Sequence, residues 1–586
     1  MDDLVAKIGA QGLKVKELKA AKGPKEEIDA EVAKLVALKQ ELTGLDPSHE
    51  LALKEKKKKA PKEAAPAAKG PSKKELRMQE RAKKVEMEKK ELETAESFGE
   101  AEVVMSRSLS ERKWTSVGSI EASFVGKRVL VRARVHTTRA KGSLAFLVLR
   151  QGCFTVQAVA SAQDAGCSKA MIGFLGKIPS ESIVDVEAKV VGADVASCTQ
   201  ADVELQIATT FVVSKAAPDL PLQLADAARN ELNPKEGEVV VGLDTRLNHR
   251  VIDLRTPANQ AIMRIKSAVP LLFTSYLDKR GFVGVNSPKL LAGASEGGSS
   301  VFSLEYFGRP ACLAQSPQLY KQMLSACADL ERVYEIGPVF RAEDSNTRRH
   351  LCEFTGLDLE MAIYEHYYEV LDVFAGLFSH IFSSLETKFA AELNIISQVY
   401  PFEPFKHLPK PLRISFAEGI QLLRDAGVTD DMQGDFDDLS TENEKKLGNV
   451  VLEKYGTDYF IMDKYPLSIR PFYTMPDPHT YPSKPPHQQL SNSFDMFMRG
   501  QEILSGAQRI HDHKLLMERV TYCHTSAGHG GPAPDTIKSY TDAFKHGAFP
   551  HGGGGIGLER VVMLYLDLSN IRKVSCFPRD PGRLTP

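Results

Sequence analysis

The spacing of apolar side chains predicts a helical hairpin at the start of the chain. Over residues 1–45, apolar positions recur at helical intervals on either side of Gly23-Pro24, which interrupts the pattern. Two amphipathic helices joined at that break would each bury one face. These positions are Leu4, Ile8, Val15 and Leu18, followed by Ile28, Val32, Leu35, Val36 and Leu42.

Residues 46–110 form a polar, basic region. The stretch 46–71 consists largely of Lys, Ala and Pro, which is typical of a flexible linker. From Ser72 to about Leu92 the composition favours a helix, and Ser72 and Glu75 have the spacing of a capping box. Apolar residues are sparse in this helix, so we expect it to become ordered on a partner.

A period of two marks residues 111–215 as a β domain. Val129, Val131, Ala133 and Val135 alternate with polar or outward positions, and four further runs have strand-like composition. These are 145–150, 154–159, 183–190 and 203–213. Five strands in one short region predict a small closed barrel of the OB-fold type.

One face of the first barrel strand is basic. It carries Arg132, Arg134 and His136, with Arg139 just beyond. A barrel with such a face commonly binds single-stranded nucleic acid. A spacer domain remains the alternative at this point.

The remainder predicts a hinge and one large mixed domain. Residues 216–247 are polar and contain Pro and Ala, which indicates a hinge, and residues 248–586 form the mixed region. A long helix is predicted over 257–278, a strand over 282–285 and helices over 363–399. The acidic stretch 427–447 is predicted to be an exposed insertion. The expected fold class is therefore multidomain α+β.

Composition excludes several classes of protein. A chain of 586 residues needs about 3 or 4 folding units. Its 42% hydrophobic and 26% charged residues exclude a wholly disordered or fibrous chain. No apolar run approaches the ~20 residues of a membrane span, and the acidic start is unlike a leader peptide. Eight cysteines without a CxxC pair indicate a reduced intracellular protein.

The net charge of -1 conceals a local excess of positive charge. Between Lys54 and Lys90 there are 15 Lys or Arg and 6 Asp or Glu, so this segment carries +9 and the rest of the chain −10. A basic segment on an acidic body is a candidate contact for nucleic acid or another acidic surface. A solvated linker explains the charge equally well.

Three short motifs point to chemistries that their context argues against. Residues 293–297 match GxSxG and residues 551–554 match HGGG, but a hydrolase carries these motifs in the opposite order. Residues 552–557 match GxGxxG, yet too little chain follows for the rest of a dinucleotide-binding unit. His511 and His513 flank Asp512 without a third ligand at a suggestive spacing, so structural histidines are favoured.

Three other clusters carry more specific chemistry. Phe340-Arg341-Ala342-Glu343 and the strand-like 353–361 predict a hairpin with a charged loop, which offers cations for phosphates and a ring for a base. The run 555–560, G-I-G-L-E-R, leads into a helix. Glu502 and Ser505 place oxygen ligands suited to Mg²⁺ near a guanidinium.

The order of these clusters resembles the class II aminoacyl-tRNA synthetases. In that family a strand ending before a proline, here Pro288, precedes the FRxE hairpin and the final GxGxER motif. The segments 315–322, 353–361, 470–477 and 505–512 look like the eukaryotic-type, aspartate-specific branch, and the resemblance covers about 110–586. Residues 1–45 resemble a WHEP domain. The helix beginning at Ser72 is similar to the basic tRNA-binding extension of such enzymes.

This resemblance implies a fold and a reaction. The fold is an antiparallel-sheet catalytic domain joined to an OB-fold anticodon-binding barrel. The reaction joins L-aspartate to ATP as aspartyl-adenylate and then transfers the aspartyl group to the 3′ end of tRNA-Asp. Mg²⁺ is the implied cofactor, a homodimer the implied assembly and the cytoplasm the implied location. Membership of a multisynthetase complex is left open.

The resemblance also assigns roles in ATP binding. Arg341 would meet the α-phosphate and Glu343 the adenine amino group, while Phe354 and Arg560 would cover the two faces of the adenine. Arg349 and His350 would approach the terminal phosphates. The remaining expected ATP contacts are Leu351, Glu502 and Gly557, and the expected catalytic residues are Arg341, Glu502 and Arg560.

Further roles concern the metal, the amino acid, the anticodon and the dimer. Glu502 and Ser505 would hold Mg²⁺, and Lys321 and Arg509 would grip the aspartate side chain. The loop 293–299 would close over the substrate, which accounts for the GxSxG match. The other assignments are Gln318, Asp358 and Glu296 around the α-amino group, Ser505 among the substrate contacts, Arg139, Phe146 and Gln157 at the anticodon, and Pro288 at the dimer interface.

Related and unrelated activities compete with this interpretation. A lysine-specific enzyme needs acidic residues in its side-chain pocket, and asparagine is nearly isosteric with aspartate. The two cations Lys321 and Arg509 therefore favour aspartate. A catalytically inactive, tRNA-binding scaffold is the rival from a different class. The residues that argue against it are Arg341, Glu502, Ser505 and Arg560.

Overall fold

The computed structural model describes residues 2–20, 25–45, 51, 97–164, 167–293, 301–526 and 531–586. The chain divides into two units, Met1–Glu86 and Met87–Pro586. Of the first unit, the structure describes little beyond a helical hairpin. The predicted helix from Ser72 to Leu92 and the basic segment between Lys54 and Lys90 lie outside the described residues.

The predicted helical hairpin is confirmed. Helix α1 (Asp2–Ala20) packs against α2 (Lys25–Leu45) through the buried side chains of Ile8, Val15 and Leu42. Gln11 ties the helices together, because its amide donates to the backbone carbonyl and the carboxylate of Glu31 at 3.0 and 2.5 Å.

Five long strands close the barrel that opens the second unit. All five predicted strands are confirmed, and alternate side chains such as Val131 and Val135 fill the interior. They hydrogen-bond in the order β6-β4-β3-β2-β5, and β5 pairs back with β6. The strands are β2 (Arg128–Lys141), β3 (Leu144–Gln151), β4 (Phe154–Ser161), β5 (Ile183–Gly192) and β6 (Val203–Ser214), preceded by the short β1 (Phe98–Glu100).

Two elements of the barrel were not predicted. Strand β1 pairs in parallel with β6, and Phe98 packs on the ring of Phe174 at 5.4 Å. The barrel therefore begins before the expected boundary at residue 111. Helix α3 (Lys169–Leu175) lies between β4 and β5, and its N-terminus is capped by Ser168, whose hydroxyl accepts from the Met171 amide at 3.1 Å.

The larger domain of this unit is built on an eight-stranded sheet. Its order is β13-β14-β15-β16-β17-β12-β11-β7, and all neighbours are antiparallel except the outermost pair at each edge. Its strands are β7 (Val283–Gly284), β11 (Arg332–Phe340), β12 (Glu353–Ala362), β13 (Leu412–Ser415), β14 (Tyr459–Asp463), β15 (Ser493–Met498), β16 (Gln501–Arg509) and β17 (His551–Gly557). A separate three-stranded sheet contains β8 (Leu290–Leu291), β9 (Ser303–Tyr306) and β10 (Arg309–Leu313).

Helices cover this sheet and supply its main core. The long helix predicted over 257–278 forms over that range, with Thr256 as N-cap and Pro257 in the first turn. It packs with the helix beginning at Tyr368 over the buried strands. The helices are α4 (Leu224–Ala227), α5 (Leu243–Asn248), α6 (Arg250–Asp253), α7 (Pro257–Asp278), α8 (Gln318–Gln322), α9 (Tyr368–Lys388), α10 (Ala390–Val399), α11 (Phe416–Asp425), α12 (Thr441–Tyr455), α13 (His513–Thr525), α14 (Lys538–Ala543) and α15 (Leu558–Tyr565).

The acidic stretch 427–447 is not simply an exposed insertion. Its second half begins α12, which is capped by Ser440 and buries Leu447 and Val451 against the domain. The helix also packs against the turn between β15 and β16, where Gly448 lies so close to Gly500 that a Cβ on either glycine would overlap backbone atoms. That prediction was wrong for this half, since the sparse apolar residues of α12 recur on one face.

The predicted multidomain α+β class is confirmed in these ranges. No helix within them is both long enough and apolar enough to cross a bilayer. The eight cysteines are all free thiols.

Candidate active site

A cavity of about 300 Å³ opens over the middle of the large sheet. It lies on β12, β16 and β17 and is bounded by the loop between β11 and β12. Most of the predicted site residues line it, although Lys321 is buried behind the wall and Glu296 lies outside the described residues. The predicted residues in the lining are Gln318, Arg341, Glu343, Arg349, His350, Leu351, Phe354, Asp358, Glu502, Ser505, Arg509, Gly557 and Arg560.

A glycine strand makes room for this cavity. Strand β17 runs between β16 and β12, and residues 552–555 are all glycine. A Cβ at Gly553 would overlap Glu360, and one at Gly555 would lie 2.8 Å from an Asp358 oxygen. The run that resembled a hydrolase or dinucleotide motif is therefore a central strand, whose missing side chains admit the charged groups of β12.

The β11–β12 hairpin positions one end of the site. Phe340 pairs with Glu353, and the Arg341 amide donates to the Cys352 carbonyl at 2.9 Å. This geometry puts the Arg341 guanidinium 5.6 Å from the centre of the Phe354 ring. Arg341 also lies 3.8 Å from the Glu343 carboxylate, and both side chains remain partly exposed to the cavity. A cation and an aromatic face are thus presented side by side.

The loop of this hairpin carries two further groups. Arg349 donates to the Thr441 hydroxyl and lies 3.5 Å from the Glu444 carboxylate, so α12 contacts the site. Burial raises the pKa of Glu444 to about 7, opposed by Arg349. Burial, and after it Arg560, lowers the pKa of His350 below its usual range. Glu444 was missed because its segment was expected to be exposed.

Glu502 and Ser505 lie together at the second edge of the cavity. Burial, and after it Asp495, raises the pKa of Glu502 to about 7, while Arg560 opposes the shift. Ser505 pairs with Asp495 across β15 and β16. A buried carboxylate beside a hydroxyl oxygen is a suitable pair of ligands for a hard cation.

Arg470 organises the same edge and was assigned no role from sequence. It binds both Asp495 oxygens at 3.1 and 2.6 Å and donates to the Ser505 hydroxyl at 3.0 Å. Mg²⁺ usually takes one or two carboxylates together with phosphate oxygens. Glu502, with the Ser505 oxygen beside it, fits that donor set, and no group of three metal-ligating side chains occurs among the described residues.

The third part of the site contains two buried ion pairs. Lys321 lies 2.8 Å from the Asp358 carboxylate and donates to the Gly554 carbonyl at 2.9 Å. Arg509 binds the Glu360 carboxylate at 3.0 Å and the Gly553 carbonyl at 2.9 Å. Burial raises the pKa of Asp358, and Lys321 opposes that shift.

The sequence suggested that Lys321 and Arg509 offer two positive charges to the substrate, whereas the structure pairs each of them with a carboxylate. Glu360 is fully buried and neutralises Arg509, and the sequence reasoning missed it. The strand period would have found it, since Asp358 and Glu360 are two residues apart and share one face of β12. Arg509 nevertheless lines the cavity, with its Nε and Nη2 directed to Glu360 and the Gly553 carbonyl.

Another missed carboxylate, Glu559, supports the wall. It accepts from the amide and hydroxyl of Thr355 at 3.0 and 3.2 Å and pairs with Lys266 of α7 at 2.9 Å. Because Thr355 follows Phe354, Glu559 fixes the strand that carries this half-buried ring. Asp512, between the two histidines for which structural roles were favoured, is itself structural, since its carboxylate accepts from the Leu515 amide and caps α13.

On the barrel, two of the three predicted anticodon residues lie side by side. Arg139 and Phe146 are cross-strand partners on β2 and β3, and both are exposed. Gln157 on β4 donates to Glu204 at 2.5 Å. Pro288 is exposed beyond the edge strand β7.

The basic face predicted on β2 is largely engaged within the barrel. Arg132 binds Asp185 through two hydrogen bonds at 2.6 and 2.8 Å and lies over the Trp114 ring. Arg134 donates to the Glu181 carbonyl at 3.0 Å. Of the three arginines on this strand face and just beyond it, Arg132 forms an ion pair, Arg134 contacts a backbone carbonyl, and Arg139 is exposed.

Family models match two parts of the chain. The model for tRNA synthetases class II (D, K and N) matches residues 242–581, and the WHEP-TRS domain matches residues 4–69. The chain is 52% identical over 494 residues to the cytoplasmic aspartate–tRNA ligase of Homo sapiens, covering 84% of this chain and 95% of that protein.

Solved structures show the same architecture. A putative aspartyl-tRNA synthetase from Leishmania major Friedlin superposes with a TM-score of 0.77 at 44% identity, covering 86% of this chain and all of that one. The asparaginyl-tRNA synthetase of Pyrococcus horikoshii, complexed with asparaginyl-adenylate, superposes with a TM-score of 0.68 at 28% identity. That match covers 82% of this chain and 100% of the other.

Proposed function

The chain belongs to the class II tRNA synthetases (D, K and N) and is an aspartate–tRNA ligase, and we propose that the cavity on its large sheet performs both steps of that reaction. The observation that carries the proposal is the meeting of three groups in one cavity. The hairpin brings Arg341 beside Phe354, strand β16 brings Glu502 and Ser505, and the glycine strand accommodates Arg509.

The first step needs positioning more than base catalysis. The α-carboxylate of aspartate is already ionised at pH 7, so it needs no proton acceptor before it attacks the α-phosphorus of ATP. Pyrophosphate leaves as the new P–O bond forms. The protein must hold two anions together and stabilise charge on the transferring phosphoryl group. In the second step a ribose hydroxyl at the 3′ end of tRNA attacks the activated carbonyl, and AMP leaves.

The hairpin end of the cavity would bind ATP. Phe354 presents a ring for stacking on the adenine, and the adjacent Arg341 would meet the α-phosphate. Glu343 would accept from the adenine amino group, and Arg560 would cover the opposite face. Arg349 and His350 would approach the terminal phosphates. Leu351 and Gly557 complete the nucleotide contacts.

Class II synthetases depend on ATP and generally use Mg²⁺. We assign the binding of Mg²⁺ here to Glu502 and Ser505. When bound, the cation would neutralise part of the phosphate charge. Both residues line the cavity, and burial, followed by Asp495, raises the pKa of Glu502, so a cation would favour its ionised form.

The glycine-strand end would bind aspartate. Arg509, which lines the cavity, would grip the side-chain carboxylate, held in orientation by Glu360. Lys321 would add positive charge, and Asp358 with Gln318 would face the α-ammonium group. An asparagine amide would bring no charge to Arg509, which favours aspartate. Glu296 is assigned to the same end.

The remaining partners involve surfaces outside the cavity. Arg139, Phe146 and Gln157 would contact anticodon bases of tRNA-Asp, where an aromatic ring and a guanidinium suit unstacked bases. Pro288, exposed beyond the edge strand, would lie in a homodimer interface. Since its relatives are cytoplasmic enzymes, we assign this chain to the same compartment.

Amino-acid-dependent exchange of pyrophosphate into ATP tests this proposal. Aspartate should support exchange, whereas asparagine and lysine should give rates near background. Exchange driven best by asparagine would overturn the assignment of Arg509. No exchange with any amino acid would favour the inactive, tRNA-binding scaffold.

A further inference from the structure

The loop between β11 and β12 depends on contacts from outside the hairpin. This loop carries Arg349 and His350, and its residues 346–348 are exposed. Within the loop, the Thr347 hydroxyl lies 2.6 Å from the His350 ring. Helix α12 contacts the Arg349 side chain, and the loop backbone and Asn346 are held by the segment 570–580, about 220 residues later in the chain.

Arg572 makes most of these external contacts. Its guanidinium donates to the Thr347 carbonyl at 2.8 Å and to the Asn346 side-chain oxygen at 2.8 Å. The neighbouring Ile571 amide donates to the Arg348 carbonyl at 2.8 Å. Three successive loop residues are therefore held by two successive residues of the later segment.

Arg572 is itself held rigidly. Its side chain is 7% exposed, and its Nε donates to the Asp580 carboxylate at 2.5 Å. Asp580 in turn accepts from the Gly582 amide at 2.8 Å. A planar guanidinium fixed on one side presents its remaining donors in a set geometry, which a lysine cannot reproduce.

The same segment is anchored to the body of the domain. Arg250 is 2% exposed and donates to the carbonyls of Lys573, Ser575 and Cys576 at 3.1, 2.6 and 3.1 Å. Its charge is compensated by the buried Asp253 at 2.5 Å. The segment 570–580, which contacts the loop, is therefore anchored to the core of the domain.

We propose that Arg572 is a positioning residue for ATP, holding the β11–β12 loop so that Arg349 and His350 face the cavity. Arg572 does not line the cavity, although Ile571 does, so it would act through the loop rather than by touching the nucleotide. The inference rests on the proposed assignment of this end of the cavity to ATP.

Steady-state pyrophosphate exchange with the full chain tests it. For Arg572→Gln, we expect KM for ATP to rise about tenfold, the size of a lost hydrogen bond to a charged group, while KM for aspartate changes less than about twofold. The KM for ATP of Arg572→Lys should lie between the values for Arg572→Gln and for the parent chain. A merely structural role would change both KM values together or lower only the melting temperature, and either result would overturn the proposal.

Two further variants keep the test decisive. Asn346→Ala removes one loop contact at an exposed site and should raise KM for ATP about threefold without lowering the melting temperature. It remains informative if Arg572→Gln does not fold, and an unchanged KM would count against the proposal. Arg583→Gln is the control, because its side chain contacts Asn248 and Thr585, away from the loop. Failure of the parent chain to support aspartate-dependent exchange would instead reject the proposed function.

Discussion

At the scale of single residues, the aspartate end of the cavity depends on charges that compensate one another. Arg509→Leu should abolish efficient aspartate activation and also destabilise the protein, because Glu360 would remain buried without its partner. Breaking a buried pair in this way costs about 3–5 kcal/mol in the free energy of unfolding. Exchange kinetics and urea denaturation measure the two effects.

A double variant separates stability from recognition at this site. Arg509→Leu with Glu360→Gln removes the uncompensated charge, so much of the lost unfolding free energy should return. Aspartate activation should stay low, because the guanidinium is still missing. If the double variant activates aspartate efficiently, the side-chain contact lies elsewhere.

Glu502 gives a second prediction at this scale. Glu502→Ala should lower the rate of pyrophosphate exchange by about 10²–10³, the usual cost of losing one electrostatic stabiliser of a charged transition state. The measurement is made at ordinary Mg²⁺ concentration. Glu518→Ala, an exposed carboxylate on α13, is the matched control. A near-parental rate for Glu502→Ala would refute its assignment as a metal residue.

Because His551 is buried, we expect the free energy of unfolding to depend on pH. Burial lowers its pKa from 6.5 to about 4, so below pH 6.5 the unfolded chain binds a proton that the folded chain does not. The free energy of unfolding should therefore fall as the pH drops from about 6.5 to 4, by about 3 kcal/mol for this residue. His551→Asn cannot titrate and should show a smaller loss in urea denaturation at pH 7, 5.5 and 4.5. Parallel pH profiles for the two proteins would contradict the prediction.

At the scale of elements, one buried carboxylate joins the barrel to the catalytic domain. Glu181, in the turn before β5, lies 2.8 Å from Arg150 of β3 and 3.0 Å from Arg255, just before α7. Burial alone would raise its pKa, but the two guanidiniums hold it below the usual range. The contact fixes where the barrel stands relative to the start of the long helix.

Glu181→Gln should therefore affect tRNA charging more than adenylate formation. A misplaced barrel would present tRNA badly, so kcat/KM for tRNA should fall about tenfold, whereas pyrophosphate exchange needs no tRNA. Both rates are measured at one temperature, well below unfolding. Glu187→Gln, which alters the exposed pair with Arg128 on the same barrel, should change neither rate. Equal losses in both assays would mean that Glu181 only stabilises the fold.

At the scale of the whole molecule, the basic segment between Lys54 and Lys90 should contribute non-specific affinity for tRNA. A polycation displaces condensed counterions, so its contribution fades as salt increases. Deleting residues 1–95, which stops short of β1, should weaken tRNA binding and reduce the slope of log K against log salt by roughly 3, for about four phosphate contacts. Titrations of both proteins at several salt concentrations measure the slopes.

The same deletion distinguishes the competing views of the N-terminal region. Pyrophosphate exchange and the preference for cognate tRNA should survive, because both depend on the barrel and the cavity. Equal slopes would identify the segment as a linker. Loss of exchange would show that the N-terminal region supports the fold.

The sequence by itself determined the local elements and the kind of chemistry. Helical and alternating periods report which side of an element is buried, so the hairpin α1–α2, the five barrel strands and α7 followed from them. Arg341 and Phe354 could be placed together because the hairpin that joins them is local. The order of motifs along the chain was enough to identify the family.

Only the tertiary structure decided how the charges are paired. Arg509 lies 149 residues from Glu360, and Arg572 lies 225 residues from Thr347. A strand period shows which face a side chain occupies but not which strand lies opposite it. The same reason explains three other results that the sequence did not predict. The barrel begins before residue 111, two arginines on β2 bind groups of the barrel itself, and α12 contacts Arg349. Sequence named the charged groups, and the fold determined which of them remain available to a substrate.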